Sequence, residues 1–147
     1  MLLGPRLPGG WRHAAYIVAL AGALFVAAEP DGLKTVNVSG RVGGGSGEHA
    51  IYVALWAAQG FLDKPVRLIR IGPHEAPVFH FEIVPGRWAL SAFEDQNGNG
   101  VLDMGVFGPK EPSGFWLPFH GWRKPRFADV ASSIEQDTSN ADIRLSR

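Results

Sequence analysis

A chain of 147 residues has room for one domain with a modest core, and its 14 basic and 14 acidic residues cancel. No net field therefore draws it to nucleic acid or to an anionic surface, so DNA or RNA binding is not expected. The absence of cysteine excludes disulfides, thiol nucleophiles, iron–sulfur clusters and thiolate zinc sites.

Residues 1–28 read as a secretory signal peptide. Arg6, Arg12 and His13 form a basic start, Ala14 to Ala28 is uncharged, and Val26 and Ala28 place small residues at the −3 and −1 positions of a cut. The apolar run is shorter than the roughly 20 residues a membrane span needs. Retention as an uncleaved N-terminal anchor is the alternative to removal. Residues 29–147 then form a single exported domain, periplasmic or secreted, with its core from about residue 34.

The 19 glycines and 11 prolines are spread between short apolar runs, as in a many-stranded β domain. TVNVSGRV alternates as a strand and ends in the hairpin connection Gly43 to Gly47, which lacks the lysine of a phosphate loop. HAIYVALWAA places Ile51, Val53 and Leu55 on one face and Tyr52 and Trp56 on the other, the pattern of a strand buried on one side. VRLIRI follows as a strand with Arg67 and Arg70 toward water. PVFHFEIV then turns Phe79, Phe81 and Ile83 inward and His80 and Glu82 outward. RWALSAFED is the returning strand. From Met104 to Arg126 no periodicity appears, so the segment reads as a long loop, either functional or a lid on the core. Closing strands are expected around RFADV and NADIRLS. Six to seven short strands at hairpin spacing predict an all-β fold: an antiparallel β-sandwich of immunoglobulin-like or transthyretin-like Greek-key type.

The chemistry concentrates in EDQNGNGVLD, Glu94 to Asp103. With Asp95 as position one, Asp95, Asn97, Asn99, Gly100, Val101 and Asp103 fill positions 1, 3, 5, 6, 7 and 9 of a calcium loop. Ca²⁺ needs six to eight oxygens, and glycine at the sixth position permits the sharp bend. Val101 would offer its carbonyl, and Glu94 or Glu111 are further candidate ligands. Val106 stands at position twelve where a bidentate glutamate makes a tight site, so the expected affinity is weak, about 10⁻⁴ to 10⁻³ M. The competing reading is a metal-free turn, because repeated Asn-Gly favours positive φ and Asp or Asn side chains can bind their own backbone.

PGRWALSAFEDQNGNGVLD, then GPKEPSGFW, PRFADV and the closing DIRL together resemble a bacterial family of exported proteins, domain of unknown function family 2141. The resemblance spans most of Lys34 to Leu145. Its central motif is Asp95 to Asp103, and Gly114 and Phe115 match a Gly-Phe element. The chain departs from the family at Trp116 and in WLPFHGW, where small polar residues are usual. The resemblance implies an exported β-sandwich and no assigned activity.

The long loop also carries Phe107, Phe115, Trp116, Phe119 and Trp122 beside His120, Arg123, Lys124 and Arg126. Trp116, Phe119, His120, Trp122 and Arg123 are the candidate ligand-binding residues, since exposed aromatics with basic neighbours stack on sugars, peptides or lipid. Folding back over the core is the competing role. Histidines 49, 74, 80 and 120 have no metal-ligand spacing. Glu94, Asp95, Asp103 and Glu111 could supply a hydrolytic carboxylate pair, but they serve better as cation ligands. The expectation is thus a non-catalytic exported module with a weak structural calcium loop and an aromatic loop for a protein, glycan or envelope partner. The alternatives are a metal-free structural domain and, third, a small hydrolase.

Overall fold

Alternation sets the strands. In β1 (Val36–Gly43) Val36, Val38 and Val42 are buried while Asn37, Arg41 and Gly43 face out, and β4 (Val78–Ile83) does the same with Phe79, Phe81 and Ile83. The computed structural model describes residues 32–147; the signal-peptide reading of 1–28 lies outside them. Lys34–Arg147 forms one compact unit.

Two sheets face each other. The first has the order β10-β1-β4, with β10 at Ile143–Arg144. The second runs β3-β2-β5, with β2 at Ala50–Trp56, β3 at Arg67–Ile71 and β5 at Gly86–Asp95. The free side of β5 is shared: β9 (Ala131–Ile134) pairs along Gly86–Ala89, and β8 (Ser113–Phe115) along Ser91–Phe93. β6 (Met104–Gly105) and β7 (Gly108–Pro109) form a separate two-stranded ribbon. The pairing of β1 with β4 and of β2 with β5 across intervening strands is the Greek-key crossing expected. Val38, Phe81 and Ile143 of one sheet meet Val53, Leu90 and Ile134 of the other in the main core. Each such side chain contributes roughly 1.5–3 kcal/mol when fully buried.

Four local expectations need correction. RFADV is not a strand: Phe127–Val130 forms a short helix, α1, and the strand starts at Ala131. Asp129 accepts the backbone N–H of Arg126 at 2.7 Å and so caps this turn. The Met104–Arg126 loop contains β6, β7 and β8, too short to show periodicity. β2 is buried on both faces: beneath Ala54 and Trp56, on the far side of the second sheet, lies a second cluster with Ala89, Val130, Phe61, Phe115 and Phe127. The sandwich is also not purely antiparallel, since β10 runs parallel to β1.

That parallel strand closes the fold. Ala141, Ile143 and Leu145 are buried in alternation, and the segment passes from β1, where Leu145 N–H donates to Gly43, to β8, where Ser146 and Ser113 exchange backbone hydrogen bonds of 3.0 Å. Such close approach needs glycine. A Cβ on Gly114 would lie 2.2 Å from the Arg144 carbonyl oxygen, and one on Gly40 2.3 Å from that of Ala141.

Candidate functional site

β5 delivers two consecutive acids to the end of the sandwich, and its pleat sends them to opposite faces. Glu94 follows Leu90 and Ala92 inward and is 1% exposed; its carboxylate accepts the Ser46 backbone N–H at 2.7 Å and the Ser46 hydroxyl, which pins the Gly43–Gly47 connection. Asp95 turns outward under the loop. Its Oδ1 accepts N–H groups of Gly98 and Asn99 at 3.0 and 3.2 Å, and its Oδ2 accepts that of Gly100 at 2.8 Å. Gly98 and Gly100, at φ of 74° and 76°, supply the left-handed backbone this convergence requires.

A third buried acid ties the far end. Glu111 accepts N–H groups of Gln96 at 2.8 Å and Asp103 at 3.3 Å, clamping both ends of the loop, while Lys110 N–H donates to the Asp103 carbonyl at 2.8 Å. The loop rests on Tyr52, which stacks on Phe93 with ring centroids 5.2 Å apart. Asn97 and Asn99 both donate side-chain N–H to Asp103 Oδ2, the latter at 3.0 Å. Their side-chain oxygens accept backbone N–H groups of Asn99 and Val101 at 3.1 and 3.0 Å. Asp95, Asn97, Asn99 and Asp103 are thus gathered, but as hydrogen-bond partners of one another and of the backbone. Val101 lies exposed at the loop edge. Among the described residues no three His, Asp or Glu side chains group as a metal site.

Beyond the loop the chain rises into the β6–β7 ribbon. Val106 and Phe107 occupy its two turn positions and are 94% and 103% exposed, with Met104 and Val101 also largely exposed nearby. Neither turn residue has positive φ. Hairpin turns usually carry Asn, Asp or Gly at such positions, so two bulky apolar residues there are not explained by turn chemistry. Only their surroundings in the fold reveal this exposure; in the sequence Phe107 belongs to an aromatic loop with two competing roles, ligand contact or cover for the core, and Val106 stands only at position twelve of the calcium spacing.

The candidate ligand-binding residues divide. Trp116 is half-buried against the main core, and its backbone N–H donates to Leu90 at 3.0 Å. Phe119 packs against the second cluster, with the Arg123 guanidinium 5.2 Å from its ring centroid. Arg123 also grips Asp129 with bonds of 2.7 and 3.0 Å. That forked bond, aided by the Arg126 N–H, holds the Asp129 carboxyl well below the usual carboxylate range. His120 and Trp122 are exposed, Trp122 at 109%.

A profile of the family described as "Uncharacterized protein conserved in bacteria (DUF2141)" matches residues 44–142. The chain belongs to this family. No curated protein and no solved structure matches it. The match contains the whole Asp95–Asp103 loop, Glu111 and the Gly114–Phe115 pair, and the fold gives each a place. Gly114 admits the C-terminal strand and Phe115 enters the second cluster.

Proposed function

We propose that this protein is an exported, non-catalytic β-sandwich module that presents the Met104–Pro109 ribbon to a component of the bacterial envelope. The observation that carries the reading is the pair Val106 and Phe107, fully exposed on a ribbon whose base is clamped by Glu111. A rigid base lowers the ordering cost of any contact made at the tip. Export is supported by the uncharged stretch Ala14 to Ala28 and its small residues before Glu29. The non-catalytic character is supported by Glu94, Asp95 and Glu111, buried acids already committed to backbone N–H groups of the loops they hold. Among the described residues no helix is long and apolar enough to cross a membrane. The test is sedimentation of the protein with bacterial envelope membranes. Wild type should co-sediment and the double variant V106S/F107S should not; equal recovery of the two would refute the reading.

A second reading concerns calcium, favoured by the convergence of the Asn97 and Asn99 side-chain amides on Asp103. Turning both amides over would aim two oxygens and the Asp103 carboxylate at one point, at the cost of the hydrogen bonds to Asn99 and Val101 N–H. With a dissociation constant of about 10⁻⁴ to 10⁻³ M, roughly 10 mM CaCl₂ should stabilise the fold by about 1.4–2.7 kcal/mol. A melting temperature that calcium leaves unmoved removes this reading.

A further inference from the structure

We infer that β4 is a self-complementary edge through which two copies of this chain join, strand to strand, about a two-fold axis at Phe81. Among the described residues β4 pairs with β1 alone, whereas the opposite side of the first sheet is closed by the C-terminal segment that passes on to β8. The Val42 N–H donates to the Pro77 carbonyl at 2.8 Å, and the Ser39 N–H is given to Thr138 on the other side of β1. These bonds fix the phase of the antiparallel ladder, so Phe79, Phe81 and Ile83 are the residues whose backbone bonds to β1. The N–H and C=O groups of His80 and Glu82 therefore point away from β1, along an edge with no lysine, proline or bulge inside it.

The side chains of β4 select the occupant. In a two-fold antiparallel pair centred on Phe81, His80 lies opposite Glu82 of the second copy, and Glu82 opposite its His80, each pair exchanging backbone hydrogen bonds in both directions. On the outer face His80 Nε2 is engaged with Asn37 and Glu82 Oε1 with Thr35, which leaves Nδ1 and Oε2 to meet across the seam. The same register sets Val78 opposite Val84 of the second copy, so these residues, 49% and 38% exposed, cover one another. The nearest slips that keep edge-facing groups paired lose this match: one sets Glu82 against Glu82, the other leaves Glu82 facing Val78. β3, the edge of the second sheet, carries Arg67 and Arg70 and no acid, so it offers itself no opposite charge. Val78 N–H is already given to Ala76, and the Val84 carbonyl accepts Trp88 Nε1. The ladder is thus confined to His80 and Glu82, and so short an interface makes a transient dimer.

Sedimentation velocity of the purified protein over a concentration series up to roughly 1 mM tests the inference, with melting temperatures to verify each fold. Wild type should pass from monomer to dimer and no further, because a two-fold contact closes on itself. His80→Glu and Glu82→Lys should each weaken association about tenfold, since symmetry places every changed pair twice. The double variant H80E/E82K restores opposite charges across the seam and should regain wild-type association or better. His80→Pro removes an edge N–H that the ladder to β1 does not use, and it should weaken the dimer as well; should it misfold, the charge variants decide alone. A wild type that stays monomeric, growth beyond the dimer, folded single variants that associate as wild type does, or a double variant no better than the singles would each overturn the inference. Its outcome does not depend on whether the Met104–Pro109 ribbon meets an envelope component.

Discussion

Replacing Gly114 by alanine should break the seam that closes the sandwich. The new Cβ would sit 2.2 Å from the Arg144 carbonyl oxygen and 3.1 Å from its carbon. Ordinary carbon–oxygen approach is about 3.3 Å, so backbone must yield by roughly 1 Å. The obstacle is main chain, which no rotamer change relieves. Moving the C-terminal strand away forfeits the two Ser113–Ser146 bonds of 3.0 Å and strains the 2.8 Å bond from Leu145 to Gly43. At about 1 kcal/mol for each bond the loss is roughly 3 kcal/mol, before any uncovering of Ile143 and Leu145. For a domain of this size that corresponds to a melting temperature lowered by roughly 10–20 °C. Urea and thermal unfolding followed by circular dichroism would measure it. Gly43→Ala is the control: its Cβ meets nothing within 4 Å, so stability should stay within about 0.5 kcal/mol of wild type. A Gly114→Ala protein as stable as that control would refute the reasoning.

Asp95→Asn should destabilise by about 2–4 kcal/mol in urea unfolding, since one carboxylate oxygen becomes an NH₂ facing backbone donors from Gly98, Asn99 or Gly100. Trp116→Ala should cost about 2–3 kcal/mol through lost packing, while Trp122→Ala should change stability by less than about 0.5 kcal/mol; the same melts compare them. Asp129 has its folded pKa depressed by the Arg123 fork, so its contribution is present above the unfolded value near 4 and is lost as pH falls toward the folded value. Acid titration of stability should therefore show a loss below about pH 4 that is shallower in Asp129→Asn than in wild type.

Much of the fold was legible because period-two alternation survives burial on one side: β1 and β4 could be read residue by residue. β2 misled because a strand covered on both faces shows no polar side, and nothing local announces that Phe61, Phe115 and Phe127 will return over Ala54 and Trp56. The two- and three-residue strands β6 to β8 carry too few side chains for any period to register. α1 was missed because RFADV is apolar enough for a strand, and the cap from Asp129 to Arg126 is a contact of only one turn.

The candidate site divides in the same way. Spacing alone brought Asp95, Asn97, Asn99 and Asp103 together, because glycines at positive φ can be anticipated from Asn-Gly repeats. Glu111 as the clamp, Glu94 as the anchor of Ser46, and Val106 with Phe107 as an open tip were decided by the tertiary structure. The physical reason is range. Alternation, turn chemistry and loop spacing act over a few neighbours, whereas exposure and close backbone approach depend on which distant segment arrives. The passage of Ala141–Leu145 over Gly40 and Gly114 is such an arrival, joining residues far apart in the chain through contacts that only glycine permits.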